Sequence, residues 1–216
     1  MKTKTALLLL LLCYSNAFGQ SPGWSVGINV SPDLCYRVLK PDYTSIGHQT
    51  TSSPKLGYHA GLAIMYKTSR AFSFETGVAV VNRGHRVKHH EDDPAASWAH
   101  LTKLSLNLLG IPLTANVHLG QGKLKFTGSL SAMPAINFFS RSVLTIHSND
   151  KTTDIEQSGF DNMHFYLSTA LRAGGSYNIT DKLELRVQPE FSMAFSSGNI
   201  QHFWSAGLHF GIYHAF

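Results

Sequence analysis

Between Lys182 and Ser196 the chain alternates at every second position. Leu183, Leu185, Val187, Phe191, Met193 and Phe195 share one side, and Glu184, Arg186, Gln188 and Glu190 share the other. A period of two belongs to a β-strand, whose successive side chains point to opposite faces. The same repeat predicts eight strands, at about 23–31, 56–66, 72–83, 102–118, 123–137, 163–177, 182–196 and 202–216. One side of each is large and apolar, as in Trp24, Val26, Ile28 and Val30, or in Trp204, Leu208, Phe210 and Ile212. The other is small or polar, as in Ser73, Glu75 and Gly77, or in Lys125, Thr127, Ser129 and Ser131. Strands that are greasy on one side and wet on the other throughout fit a cylinder closed in a bilayer. The expected fold is all-β: an eight-stranded antiparallel up-and-down transmembrane β-barrel.

Two features strain the pattern. In the fourth strand Leu104, Leu106 and Leu108 keep one parity while Leu109, Ile111, Leu113, Ala115 and Val117 keep the other, and a β-bulge near Gly110 would return both groups to one face. Pro112, Pro134 and Pro189 fall inside strands although proline cannot donate to a ladder, which calls for bulges or interrupted pairing there. Two other features support the barrel. Tight connections at 67–71, 119–122 and 178–181 alternate with long ones at about 32–55, 84–101 and 138–162, as in outer-membrane barrels with short periplasmic turns. Trp24, Tyr66, Phe72, Phe126, Tyr177 and Phe216 then mark one membrane interface, and Tyr58, Phe138, Phe165, Phe195 and Trp204 the other.

Composition adds an address. Lys2 and Lys4, an apolar run from Ala6 to Cys13 and the small-residue site around Ala17 and Gly19 predict a cleaved signal peptide at 1–19 and one barrel domain at 20–216. The apolar run is shorter than the ~20 residues of a membrane-spanning helix. Cleavage leaves 16 Lys and Arg against 13 acids, a balance that points to no polyanion, and nucleic-acid binding has no support. It also leaves Cys35 as the single cysteine, so no internal disulfide forms. The expected location is the bacterial outer membrane, with both chain ends periplasmic.

On this pattern the chain resembles the compact eight-stranded outer-membrane barrel family of Bacteroidetes-type bacteria that includes the PorT-like proteins. The likeness is carried by Trp24–Asn29, Gly57–Gly61, Phe72–Gly77, Ile111 with Pro112, and the terminal Gly207–Phe216. It implies an outer-membrane barrel; PorT-like members are associated with secretion of surface proteins. The closing alternation of Phe210, Ile212 and Phe216 resembles the C-terminal signal read by the barrel-assembly machinery during biogenesis.

An eight-stranded lumen is just wide enough to be filled by side chains. Glu75, Lys103, Lys125, Arg172, Glu184, Arg186 and Glu190 are expected there as an ion-pair network locking the barrel. A proton- or ion-conducting path is the rival role for the same residues. His85, His89 and His90 crowd one predicted external loop and are metal-competent side chains, but a loop fixes no ligand geometry, and a solvated loop is the simpler reading. Arg83, Arg86 and Lys88 of that loop would stand beside outer-leaflet lipids, lipopolysaccharide included. A lipid-modifying enzyme would need a serine, a histidine and an acid at the rim. Ser196, His202 and Glu190 make such a set only by free choice. No phosphate loop, cysteine pair or nucleophile elbow is present, so no cofactor is expected. The expected function is structural or interaction-based at the cell surface, toward an unidentified protein partner, in a setting of export or envelope assembly. A lipid-modifying enzyme and a soluble lipocalin-like carrier are the alternatives.

Overall fold

The computed structural model describes residues 23–38, 48–91, 98–148, 151–159, 164–196 and 202–216; the expected signal peptide lies outside them. The strands are β1 (Gly23–Val38), β2 (His48–Ser53), β3 (Lys55–Lys67), β4 (Phe72–Glu91), β5 (Trp98–Gly110), β6 (Leu113–Leu119), β7 (Leu124–Ser148), β8 (Lys151–Gly159), β9 (Phe165–Asn178), β10 (Leu183–Ser196) and β11 (His202–Ala215). Pairing is antiparallel throughout. It runs β1–β3–β4, then β5 and β6 together, then β7–β9–β10–β11, and β11 returns to β1. Because β5 and β6 are two pieces of one wall strand, the ring has eight strands. It leaves no edge within the membrane, the condition for a sheet to span lipid. Phe216 tightens the seam by donating its N–H to the Trp24 carbonyl at 3.2 Å.

The outer wall is hydrocarbon. Ile28, Leu62, Phe74, Leu130, Leu171 and Ile212 all point away from the lumen and are exposed. On β5 and β6 the outward apolar row runs from Leu109 to Leu119. Ten residues rise about 33 Å along a strand, or about 25 Å vertically at a tilt near 40°, which is the height of a barrel's apolar band. Aromatic rings mark both margins. Trp24 meets Tyr66 at 4.7 Å near the short turns, and Tyr36 stacks on Trp204 at 4.3 Å at the opposite end.

Two expectations need correction. The long loops expected at 32–55, 84–101 and 138–162 are largely strand, since β1 reaches Val38, β4 reaches Glu91 and β7 reaches Ser148. Beyond the bilayer neither face of a strand meets hydrocarbon, so the alternation fades while the backbone ladder continues. Here β2 prolongs the wall against β4, and β8 folds back on β7.

The fourth wall strand also keeps its phase. The register against β4 is unbroken from Phe72 opposite Val117 to His90 opposite Ala99. The irregularity lies across the ladder, where Asn107 pairs with Phe139 and Leu108 with Asn137, leaving Phe138 of β7 as the extra residue. Leu106 and Leu108 therefore face inward and are buried, whereas Leu109 and Leu113 face lipid.

The prolines stand at gaps in the ladders. Pro112 separates β5 from β6, and Pro134 stands opposite that break, its carbonyl accepting from the Ile111 N–H at 3.1 Å. Pro189 pairs with Leu208 of β11, while the β9 ladder passes from Val187 directly to Glu190. The β6–β7 turn uses Gly120 and Gly122 at φ of 107° and 90°, values that side-chain-bearing residues rarely adopt.

Candidate functional site in the barrel interior

Inward positions on eight strands converge on one axis, so groups far apart in sequence meet. At the short-turn end Arg186 of β10 is the hub. Its Nε donates to Glu184 Oε1 at 2.6 Å, its Nη1 lies 3.6 Å from Glu75 Oε2, and its guanidinium sits 4.3 Å over the Tyr213 ring. Tyr213 donates its hydroxyl to Glu75 at 3.1 Å, and Lys67 closes the mouth with a 2.8 Å bond to Glu184. One buried arginine thus joins β4, β10 and β11 across the lumen. Arginine suits the position because its planar fork serves several acceptors at once.

One layer further in, Arg172 Nε donates to Glu190 Oε2 at 2.5 Å, and His209 Nδ1 lies 3.7 Å from the same oxygen. Gln188 donates to the Thr127 carbonyl at 2.9 Å and to Ser129 at 3.2 Å. Ser73, His118, Thr127 and Ser176 form a further chain of side-chain contacts. Arg83 donates to Ser192 at 2.7 Å, and Ser192 meets Ser205 at 2.7 Å.

Toward the long hairpins the filling changes. Ala79, Val81, Leu106, Leu108, Met133, Ala135, Tyr166, Ala194 and Phe203 form one buried apolar cluster inside the barrel. Hydrocarbon enters the filling there, beside the buried Arg83, His85, Lys55 and Asp33.

The structure gathers Glu75, Glu184 and Arg186 into one cluster and Arg172 with Glu190 into a second. Lys125 is half-buried at the mouth, where with Lys67, Glu184 and Tyr213 it lines a recess of about 90 Å³. Lys103 does not join them: it is exposed on the outward side of β5. Its neighbours Thr102 and Leu104 take the inward parity, so the expectation of a lumen role for Lys103 is corrected.

Several interior partners carried a signal that parity could have found. Tyr213 and His209 stand on the inward parity of β11, between the lipid-facing Leu208, Phe210 and Ile212. Lys67 was hidden because it ends β3 where a tight turn was expected. Phe210 and Ile212 point outward on the last strand, and Phe216, just past its end, is exposed.

His85, expected on a solvated loop, is an inward residue of β4, buried, with its ring 5.9 Å from Phe203 and its Nε2 3.5 Å from Arg37 Nη1. His89 and His90 belong to β4 by register, opposite His100 and Ala99; their side chains lie outside the described part. Among the described residues no three His, Cys, Asp or Glu side chains converge as a metal site. Ser196 and Glu190 are six residues apart on β10, or about 20 Å. Glu190 is committed to Arg172, so these two do not meet in a triad.

The model of the outer membrane protein β-barrel domain matches residues 18–197. The chain belongs to that family. Its place is therefore the bacterial outer membrane, in keeping with the lipid-facing wall. Among solved structures the barrel is similar to Neisserial surface protein A, at 14% identity over 91% of this chain and 100% of that one, with a TM-score of 0.47. It is similar too to the outer membrane protein OprG of Pseudomonas aeruginosa, at 13% identity over 93% and 98%, TM-score 0.43. Ail of Yersinia pestis, solved with a heparin analogue, matches at 11% identity over 90% and 99%, TM-score 0.40. No curated protein matches the chain.

Proposed function

We propose that this outer-membrane barrel is a non-conducting, non-enzymatic scaffold that holds a protein partner above the cell surface. Export of surface proteins or envelope assembly is the process it serves, in line with the resemblance to PorT-like barrels of Bacteroidetes-type bacteria. In this reading a signal peptide directs export, the barrel-assembly machinery inserts the chain, and both ends face the periplasm with the short turns.

The observation that carries the proposal is the β7–β8 hairpin. Strand β7 has 25 residues, far more than a bilayer needs, and β8 runs back along it with Thr152–Ser158 exposed. Among the described residues β8 pairs with β7 alone, which leaves one edge of backbone donors and acceptors open to a partner strand. The filled lumen supports the same reading, since no water column is needed for a role carried by the hairpins.

Two measurements test it. Purified barrel in planar bilayers is expected to give no step conductance, and photocrosslinkers at Asp154 and Gln157 in living cells are expected to capture one discrete protein. Regular conductance steps together with no adduct at either position would refute the scaffold.

A further inference from the structure

The outer wall carries a second surface, separate from the hairpin edge. On the outward faces of β4 and β5, Arg86 and Lys103 are direct register partners, and Lys88 is the next outward residue of β4. All three are exposed. Like charges placed opposite each other on a ladder repel. None of the ion pairs among the described residues involves Arg86, Lys88 or Lys103. Arg141, on neighbouring β7, is instead neutralised by Glu156 at 2.7 Å. Arg83, grouped with this patch by sequence, points inside to Ser192.

The height of the patch identifies its counter-charge. On the same wall the outward row changes from Val78 and Leu109 to Asn82 and Asn107, whose amides bond to each other at 2.8 Å. On these two strands that bond marks the change from apolar to polar outward residues. Arg86 and Lys103 stand four residues beyond it on their strands, about 13 Å along the chain and about 10 Å above the apolar boundary at a tilt near 40°. Groups at that height against the barrel wall are the headgroups and first sugars of membrane lipids, and the ones that answer three cations without an ion pair among the described residues are phosphates.

We propose that Arg86, Lys88 and Lys103 form a docking face for the phosphorylated sugars of outer-leaflet lipopolysaccharide. The inference rests on the orientation given above, with the long hairpins outside the cell. It does not depend on the protein partner of β8. The lipid would supply the negative charge that no described residue gives the repelling pair Arg86 and Lys103, anchoring the β4–β5 hairpin upright against the leaflet.

The full barrel, folded in nanodiscs of uncharged lipid, is titrated with lipopolysaccharide, with the dephosphorylated form and with inorganic phosphate. Each loss of a cation is expected to weaken lipopolysaccharide binding about fivefold, and R86Q with K103Q together about thirtyfold, at roughly one kcal/mol per charge. The variant Arg141→Gln is expected to bind as the parent does, and the dephosphorylated lipid to bind the parent no better than the double variant binds the phosphorylated one. Retention of heat-modifiable gel mobility shows that each variant is folded. Equal affinity of parent and double variant overturns the proposal. Inorganic phosphate binding as tightly as the lipid overturns it in favour of a free-anion site. A Lys88→Cys variant that an impermeant thiol reagent fails to label in intact cells overturns the outer-leaflet assignment itself, and leaves the detergent-phase behaviour of the scaffold to be judged separately.

Discussion

The two halves of the lumen are lined by the same strands and filled differently: an ion-pair network at one end, and at the other an apolar cluster with Arg83 and His85 buried beside it. At the short-turn end Arg186 binds Glu184 and Glu75 beneath Lys67 and Tyr213; at the hairpin end Leu106, Leu108, Met133, Tyr166 and Phe203 pack as hydrocarbon. Both are solutions to one constraint, an interior wide enough for a single layer of side chains. The charged half holds together only as a complete network, because a buried charge without its partner is far more costly than the pair. The apolar half is graded, losing stability in proportion to the volume removed.

The contrast breaks most visibly at Arg186. Its replacement by Leu leaves Glu75 inside the wall without a cation and Glu184 with Lys67 alone, and is expected to cost about 3–5 kcal/mol, read as a lower urea midpoint for unfolding from lipid vesicles. A cost under about 1 kcal/mol would mean that water already solvates these groups. Arg172 sharpens the point. The single change Arg172→Met should destabilise nearly as much, whereas Arg172→Met combined with Glu190→Leu should recover most of the loss, because neither charge of that pair then remains without the other. Failure of the double variant to recover would mean that His209 or Arg83 depends on Glu190.

In the apolar half Phe203→Ala is expected to cost about 3 kcal/mol by leaving a cavity beside His85 and Leu108. It should also admit leak current in planar bilayers, which Leu130→Ala, on the lipid side, should not. The smallest effect is expected at Arg141→Ala. Its pair with Glu156 is half-exposed, and such pairs contribute about 0–1 kcal/mol.

Alternation made the barrel legible because lipid and lumen impose opposite demands at every second residue, and Glu184, Arg186 and Glu190 could be assigned to the inside on parity alone. It failed where that contrast disappears. Leu106 and Leu108 are apolar and inward, so a rule equating apolar with outward required a bulge in their own strand; the extra residue is Phe138, on the strand opposite. Lys103 is charged and outward, above the hydrocarbon, where either side is wet. Above the bilayer β2, β8 and the ends of β4 and β7 lack the alternation, so strands were expected to be loops. The partner of each interior charge was not legible either, because Arg186 and Glu75 meet only through the closure and stagger of the ring.

Every second residue of the wall meets lipid, and the residues between fill the lumen from one end to the other. This arrangement is tested most directly by single-cysteine labelling along residues 104–117 with an environment-sensitive fluorophore, quenched by spin labels on the lipid chains. Quenching is expected at Leu109, Ile111, Leu113, Ala115 and Val117, and none at Leu106, Leu108, Thr114 or Asn116. Quenching that switches parity at Gly110, reaching Leu106 and Leu108, would contradict it.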